Sequence, residues 1–456
     1  MRIGVDVEMR RQLCCTCSVA VAVLLGATMS LVRVADAAEP LAQWPNWRGP
    51  LSTGEAPQAD PPTEWNESKN IRWKTALPGL GHSSPVVWDD RIFVTTAVPV
   101  GDALPPRPSM APGAHDNLPV THQQQFVVLA ADRENGAIVW QRSVGELLPH
   151  ETWHVSGSAA SASPVTDGEH VFAFFGSYGL SCLDLEGTVV WQKDLGDMLV
   201  KHGHGEGASP ALHDETLVVN WDHEGDSFLV AFDKRTGEER WRVPRDEVTS
   251  WATPIVVEQD GRAQVIVSGT GRVRGYDLDT GDVIWECGGL SNNVVASPVA
   301  ADGMLYAGSS YDTRAMLAIR LSGAMGDITG SDHVVWTRSE RTPYVPSPLL
   351  YDNALYYLYH YQGVLTRLEA ATGEEPSGPF RLPGITDVYA SPVAAAGRIY
   401  ITDREGATLV MTAGQQPQAL ALNRLEEPIS ATPALVGKEI ILRGEHHLYS
   451  ISQGAQ

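Results

Sequence analysis

The chain has 456 residues, with 33 Lys and Arg against 55 Asp and Glu, and a formal net charge of −22. A surface this acidic repels phosphate backbones and anionic lipid headgroups, which excludes nucleic acid as a partner. Only 19% of the residues are charged while 43% are hydrophobic, so the composition is that of neither a disordered nor a coiled-coil protein, and the length calls for several domains or a repeat.

Taken in chain order, the first feature is an export signal. Arg10 and Arg11 precede the uncharged stretch 12–32, and Ala35-Asp36-Ala37 offers small residues for cleavage, which assigns residues 1–37 to a signal peptide and the mature protein to the periplasm, the cell envelope or the medium. The arginine pair is a twin-arginine feature, and the same uncharged stretch is also long enough for an uncleaved anchor. No later segment is apolar enough to cross a membrane. Cys14, Cys15 and Cys17 lie within the signal, ahead of most of its apolar run, where none is placed to carry a lipid. The mature chain retains Cys182 and Cys287, far apart and without metal-ligand spacing, so packing rather than disulfides holds the fold.

Residues 38–69 read as an N-terminal wrap. They contain Trp44-Pro45-Asn46-Trp47-Arg48-Gly49-Pro50 and Trp65, and two indoles around one guanidinium can clamp the segment by stacking. Ile71–Leu77 then reads as a strand carrying Trp73.

From there a short phrase recurs eight times: Ser or Thr, then Pro, then an apolar strand. The copies stand at Ser84-Pro85, Ser163-Pro164, Ser209-Pro210, Thr253-Pro254, Ser297-Pro298, Ser347-Pro348, Ser391-Pro392 and Thr432-Pro433. Pro cannot donate a ladder hydrogen bond and is tolerated where a strand begins. The usual spacing of about 44 residues fits one four-stranded propeller blade. The first interval is longer and holds a Pro-rich insertion at 98–125 in blade 1. A turn of the form Asp-x-x-Thr-Gly follows in its fullest versions at Asp233 to Gly237 and Asp277 to Gly281, where Asp caps backbone N–H groups and Gly takes the left-handed position. Trp140, Trp191, Trp241 and Trp285 come four residues after such a glycine, and Trp336 ends the fifth copy. One flat ring at a fixed place per blade is suited to covering the neighbouring sheet. The eighth copy ends after three strands, so the Trp73 strand is expected to supply its fourth and close the ring, removing two exposed edges.

This arrangement resembles the tryptophan-docking repeat of the quinoprotein-like (PQQ-like) propellers. The fold class read from it is all-β: an eight-bladed β-propeller of four-stranded antiparallel blades over residues 70–456, closed by the N-terminal strand, with Trp73, Trp140, Trp191, Trp241, Trp285 and Trp336 as docking residues and a monomeric ring as the unit. The Trp44–Pro50 segment with Trp65 looks like the opening of the stand-alone propellers of planctomycete bacteria. The chain is also similar to the BamB-like periplasmic propellers that assist outer-membrane assembly, although it lacks the lipid-accepting cysteine of that group. Quinoprotein dehydrogenases on this fold hold pyrroloquinoline quinone with Ca²⁺, a catalytic Asp, Glu and Asn ligands and a disulfide between adjacent cysteines. The only adjacent pair here, Cys14-Cys15, falls in the signal.

Residues just before each Ser/Thr-Pro should gather at the channel mouth: His82, His154, His202, His204, Trp251, Asn292, Asn293, Tyr344 and Tyr389. Polar and aromatic groups converging on a concave rim are the ordinary chemistry of a ligand site, and of any wet channel mouth. His202-x-His204, read on an extended strand, points two imidazoles to one side, with His82 and His154 on neighbouring blades. No carboxylate or cysteine spacing supports them, and the acidic run Asp222, Glu224, Asp226 lacks the distant bidentate acid of a calcium loop and reads as a hairpin turn. The expectation is therefore no resident metal, no cofactor and no catalytic residue. It is a binding scaffold for a protein partner or an extracellular polymer, with a quinone- and Ca²⁺-dependent oxidoreductase as the alternative.

Overall fold

The structure is a computed structural model that describes residues 39–455; residues 1–37, the expected signal, lie outside the described residues. Eight four-stranded antiparallel sheets are arrayed as the blades of a propeller. Blades 1 to 7 begin at Val86, Val165, Ala211, Ile255, Val299, Leu349 and Val393, each just after the Ser/Thr-Pro phrase that the sequence repeats. Blade 8 takes Ala434–Val436, Glu439–Arg443 and His447–Ser452 from the C-terminus and Ile71–Ala76 from the N-terminus. That last strand pairs antiparallel with His447–Ser452, Trp73 opposite Ser450 and Thr75 opposite Leu448. Head and tail of the chain thus share one sheet, and the edge of the C-terminal strand is covered.

The core is laminated between blades rather than collected at a centre. One buried cluster joins blades 1 and 2 through Phe93, Phe126, Val171 and Leu183, and another joins blades 4 and 5 through Trp285, Leu305 and Ile319. The largest spans blades 7, 8 and 1 and takes in Trp44, Trp65 and Trp73 from the N-terminal segment. Strands with apolar residues on both faces suit this arrangement, because each blade is covered on two sides.

Five tryptophans dock as their position predicts. The indole N–H of Trp73, Trp140, Trp191, Trp241 and Trp336 donates to a backbone carbonyl in the hairpin turn of the next blade, at 2.7–3.0 Å. Each ring lies against the turn glycine (Gly136, Gly187, Gly237, Gly281 and Gly373), where a Cβ would meet the indole at 2.5–2.7 Å. Glycine is needed there twice over, for its positive φ and for the close approach. Trp285 departs from the expectation. It turns into its own blade, where its N–H donates to Gln264 Oε1 at 2.9 Å and its ring covers Gly275. Blade 5 has a long loop in place of the Asp-x-x-Thr-Gly turn, and Gly326–Asp327 of that loop pairs in parallel with Trp285 and Glu286.

The N-terminal segment crosses one face of the ring. Trp44 bridges to Val87 of blade 1, the Pro45 carbonyl accepts from Thr166 of blade 2, the Thr53 carbonyl accepts from Leu350 of blade 6, and Glu55 bridges to Ala394 of blade 7. Arg48 is buried at the crossing. Its guanidinium donates to the carbonyls of Pro392 (3.0 Å), Thr53 (2.9 Å) and Pro348 (2.6 Å). With no carboxylate beside it, burial pulls its pKa down to about 9. Arg48 also lies over the Trp47 ring, 5.4 Å from its centroid.

Candidate functional site

A cavity of about 570 Å³ occupies the ring's centre, with Trp47 of the crossing segment among its walls. Its lining includes all eight Ser/Thr of the repeated phrase: Ser84, Ser163, Ser209, Thr253, Ser297, Ser347, Ser391 and Thr432. They form a circle of hydrogen bonds. Each hydroxyl oxygen accepts the backbone N–H of the equivalent residue in the preceding blade, at 2.8–3.0 Å, and the circle closes from Thr432 N–H to Ser84 Oγ. The sequence pattern was read for its proline; the hydroxyl is the half of the phrase that faces the channel. Its signal was its invariance across eight copies, where a strand start alone would accept many residues.

Of the rim residues named from sequence, His82, His154, His204, Trp251, Asn293, Tyr344 and Tyr389 line this cavity. Asn292 does not; it is held outward by Asp312, which also accepts the Asn292 backbone N–H at 3.0 Å. Nor does His202, whose Nδ1 lies 3.1 Å from the Pro112 carbonyl. The expected extended strand at 202–204 is a 3-10 turn, Lys201–Gly203, in which His202 and Gly203 take positive φ, as does Gly205 just after it. The His202 and His204 rings stay close, their centroids 5.3 Å apart, but only His204 reaches the lining. Trp251 is fixed by its N–H to the Gly205 carbonyl at 2.8 Å, and Tyr344 OH accepts from Asn293 Nδ2 at 3.1 Å.

Asp222, Glu224 and Asp226 do not gather. Asp222 is buried and pairs with Arg245 through both oxygens, at 2.7 and 3.0 Å, while Glu224 and Asp226 are exposed. They occupy the hairpin loop between Thr216–Trp221 and Phe228–Asp233. Cys182 and Cys287 are free and buried, and desolvation pushes their thiols up to about 12 and about 11.

Sequence reasoning passed over several channel residues, among them Tyr361, His115 and Glu206. His115, in the insertion of blade 1, reaches the lining beside His154 and His204. Glu206 also lines the cavity; its carboxyl accepts from Ser177 N–H at 2.7 Å and Ser177 Oγ at 2.5 Å. Burial, with Glu151 and Asp197 nearby, raises its pKa to about 8 even against those hydrogen bonds. His115 lies outside the repeat, so no period could mark it, whereas Glu206 stands three residues before Ser209 as Tyr344 does before Ser347. Apart from Asp116 and Glu206 the lining carries no acidic side chain, and it contains no Lys or Arg.

Eight blades, a circle of Ser/Thr-Pro hydroxyls and tryptophans docked on the next turn define a quinoprotein-like propeller. A family model described as "Outer membrane protein assembly factor BamB" matches residues 124–376. The match spans more than half of the chain, and the protein belongs to that family. Among solved structures it is similar to BamB from Moraxella catarrhalis (TM-score 0.52, 14% identity, 78% of this chain and 98% of that one). It is also similar to a europium-containing methanol dehydrogenase (TM-score 0.58, 11% identity, 90% and 91%). A third is the quinohemoprotein alcohol dehydrogenase ADHIIG from Pseudomonas putida HK5 (TM-score 0.56, 10% identity, 91% and 81%). At these identities the likeness is one of fold. No curated protein matches the chain.

Proposed function

We propose that this is a non-catalytic binding protein of the cell envelope, whose central channel receives a hydroxyl-bearing segment of a protein partner or extracellular polymer. The observation that carries the reading is the lining. Eight hydroxyls have an oxygen already occupied by a backbone N–H and keep a proton to donate, and Trp251, Tyr344, Tyr361 and Tyr389 add flat apolar faces beside them. Donors interleaved with aromatic faces, without fixed cations, suit an uncharged polar chain better than an anion. Export is supported by the charge pattern of residues 1–37, and no helix among the described residues is long and apolar enough to cross a membrane.

The alternative, a pyrroloquinoline-quinone oxidoreductase, fits these residues poorly. The quinone is a tricarboxylate, and the lining offers no Lys or Arg to meet it. Glu206 is committed to Ser177 through both carboxyl oxygens, at 2.7 and 2.5 Å. Cys182 and Cys287 sit in different blades as free thiols.

The test is retention of the chain on immobilised neutral polysaccharides and on peptides from envelope proteins, compared with Tyr344→Ala and Trp251→Ala. Retention that both substitutions abolish is the expected result. Dye reduction with alcohols or sugars after reconstitution with the quinone and Ca²⁺ would overturn the reading in favour of the enzyme.

A further inference from the structure

We propose that His115, His154 and His204 form a binding site for a divalent transition-metal ion in the wall of the channel. The site goes beyond the binding function above and does not rest on it. One ring nitrogen from each residue lies within 4.8 Å of the others, and the ring centroids of His204 stand 4.7 Å from both His115 and His154. A four-coordinate ion with metal–nitrogen bonds of about 2.0–2.1 Å needs nitrogens about 3.3 Å apart. His115 is the exposed member of the three and has room to turn towards the other two.

Three segments of the chain are tied together to make this cluster. Asn117 and Leu118, next to His115, pair antiparallel with His154 and Trp153. Val155 N–H donates to the Asp116 carbonyl at 2.8 Å, and His154 N–H donates to the His204 carbonyl at 3.1 Å. Asn117 Nδ2 donates to Thr152 Oγ1 at 2.8 Å and to the His202 carbonyl at 3.0 Å. The backbone is thus braced at all three residues before any ion arrives.

Two of the three rings carry an outer partner. His154 Nδ1 lies 2.7 Å from Ser156 Oγ and accepts the Ser156 backbone N–H at 3.2 Å, and His115 Nδ1 lies 3.2 Å from Asp116 Oδ2. The His204 Nε2 is buried without a partner. The carboxylate beside His115 orients that ring as metal-bound histidines are oriented, and the buried His204 nitrogen is left for an ion. Three imidazoles without a thiolate or a set of carboxylates select Zn²⁺ or Cu²⁺ over Ca²⁺ and Mg²⁺. Because all three residues line the cavity, the fourth coordination position opens on the channel.

The test uses the full chain freed of metal with a chelator. Zn²⁺ is titrated by calorimetry, and Co²⁺ by the visible absorption of a four-coordinate complex. One equivalent is expected to bind, with affinity falling about 100-fold or more in His115→Ala and in His204→Ala and unchanged in Asp226→Asn. His115 is exposed, so its removal leaves thermal unfolding unchanged and separates ligand loss from misfolding. Absence of saturable binding, or binding that survives His115→Ala and His204→Ala, would overturn the proposal.

Discussion

The backbone N–H of Thr432 donates to Ser84 Oγ at 2.9 Å, joining residues 348 positions apart. It is the eighth link of the hydroxyl circle that lines the channel, and it ties blade 8 to blade 1 at the hub. The strand Ile71–Ala76 ties the same two blades at the rim, through Trp73 on the blade 1 turn and through Glu439, which binds both Arg72 and Arg133. Closure is therefore made at two radii with different chemistry.

Removing a hydroxyl from the circle leaves a buried N–H of the preceding blade unpaired. Ser209→Ala strands the N–H of Ser163, which now bonds Ser209 Oγ at 2.9 Å. The expected loss is about 1–3 kcal/mol in urea unfolding. Ser209→Thr keeps the oxygen, as Thr253 and Thr432 do in their own blades, and is expected to cost less than about 1 kcal/mol.

Two glycines with similar backbones separate strain from docking. Gly237 and Gly261 have φ of +69° and +75°, but a Cβ on Gly237 would stand 2.7 Å from the Trp191 ring, whereas one on Gly261 meets nothing within 4 Å. Gly261→Ala is expected to cost about 1–2 kcal/mol for the left-handed conformation alone. Gly237→Ala adds the overpacking penalty and should exceed it by about 1–3 kcal/mol. Paired thermal melts measure the difference.

Glu206 gives the stability a pH slope of known sign. Its folded pKa of about 8 lies above the ordinary 4.5, so between those values the folded chain holds a proton that the unfolded chain has released. The stability this group contributes is complete below about pH 4.5 and is lost as pH rises towards 8. Glu206→Gln keeps the shape without the titration. The variant's advantage over the parent in unfolding free energy should grow from pH 5 to pH 8 and then level off.

Arg48 holds the crossing segment by three carbonyls and no acid. Arg48→Ala leaves those buried carbonyls short of donors and is expected to cost about 2–4 kcal/mol. It should also expose the segment around Leu51, already 44% exposed, to protease before the ring itself unfolds.

The fold was legible because a repeat writes its period into the chain eight times. Proline at each strand start, Asp and Gly in each turn and Trp four residues on are all local requirements. Trp285 shows the limit: its spacing is that of its neighbours, but its docking place is set by the turn of blade 5, a longer loop in which no glycine packs against the ring. The channel residues were partly legible for the same reason. Seven of the nine named from sequence line the cavity because their place in the repeat fixes their place in the ring. His202 stands off the lining because positive φ at His202 itself and at Gly203 bends a stretch that reads as extended. His115 was invisible because it lies in an insertion docked by a two-residue strand pair, while Glu206 stands at a place the repeat marks but owes its character to burial.

The shared eighth blade is tested most directly by deleting residues 70–77 and following unfolding by circular dichroism and by tryptophan fluorescence. With Trp73 and the rim strand gone, the last blade loses its cover and blade 1 loses its docked indole, so the whole ring should unfold in one transition at a markedly lower temperature. A deleted chain that melts like the parent would contradict a ring completed by its own N-terminus.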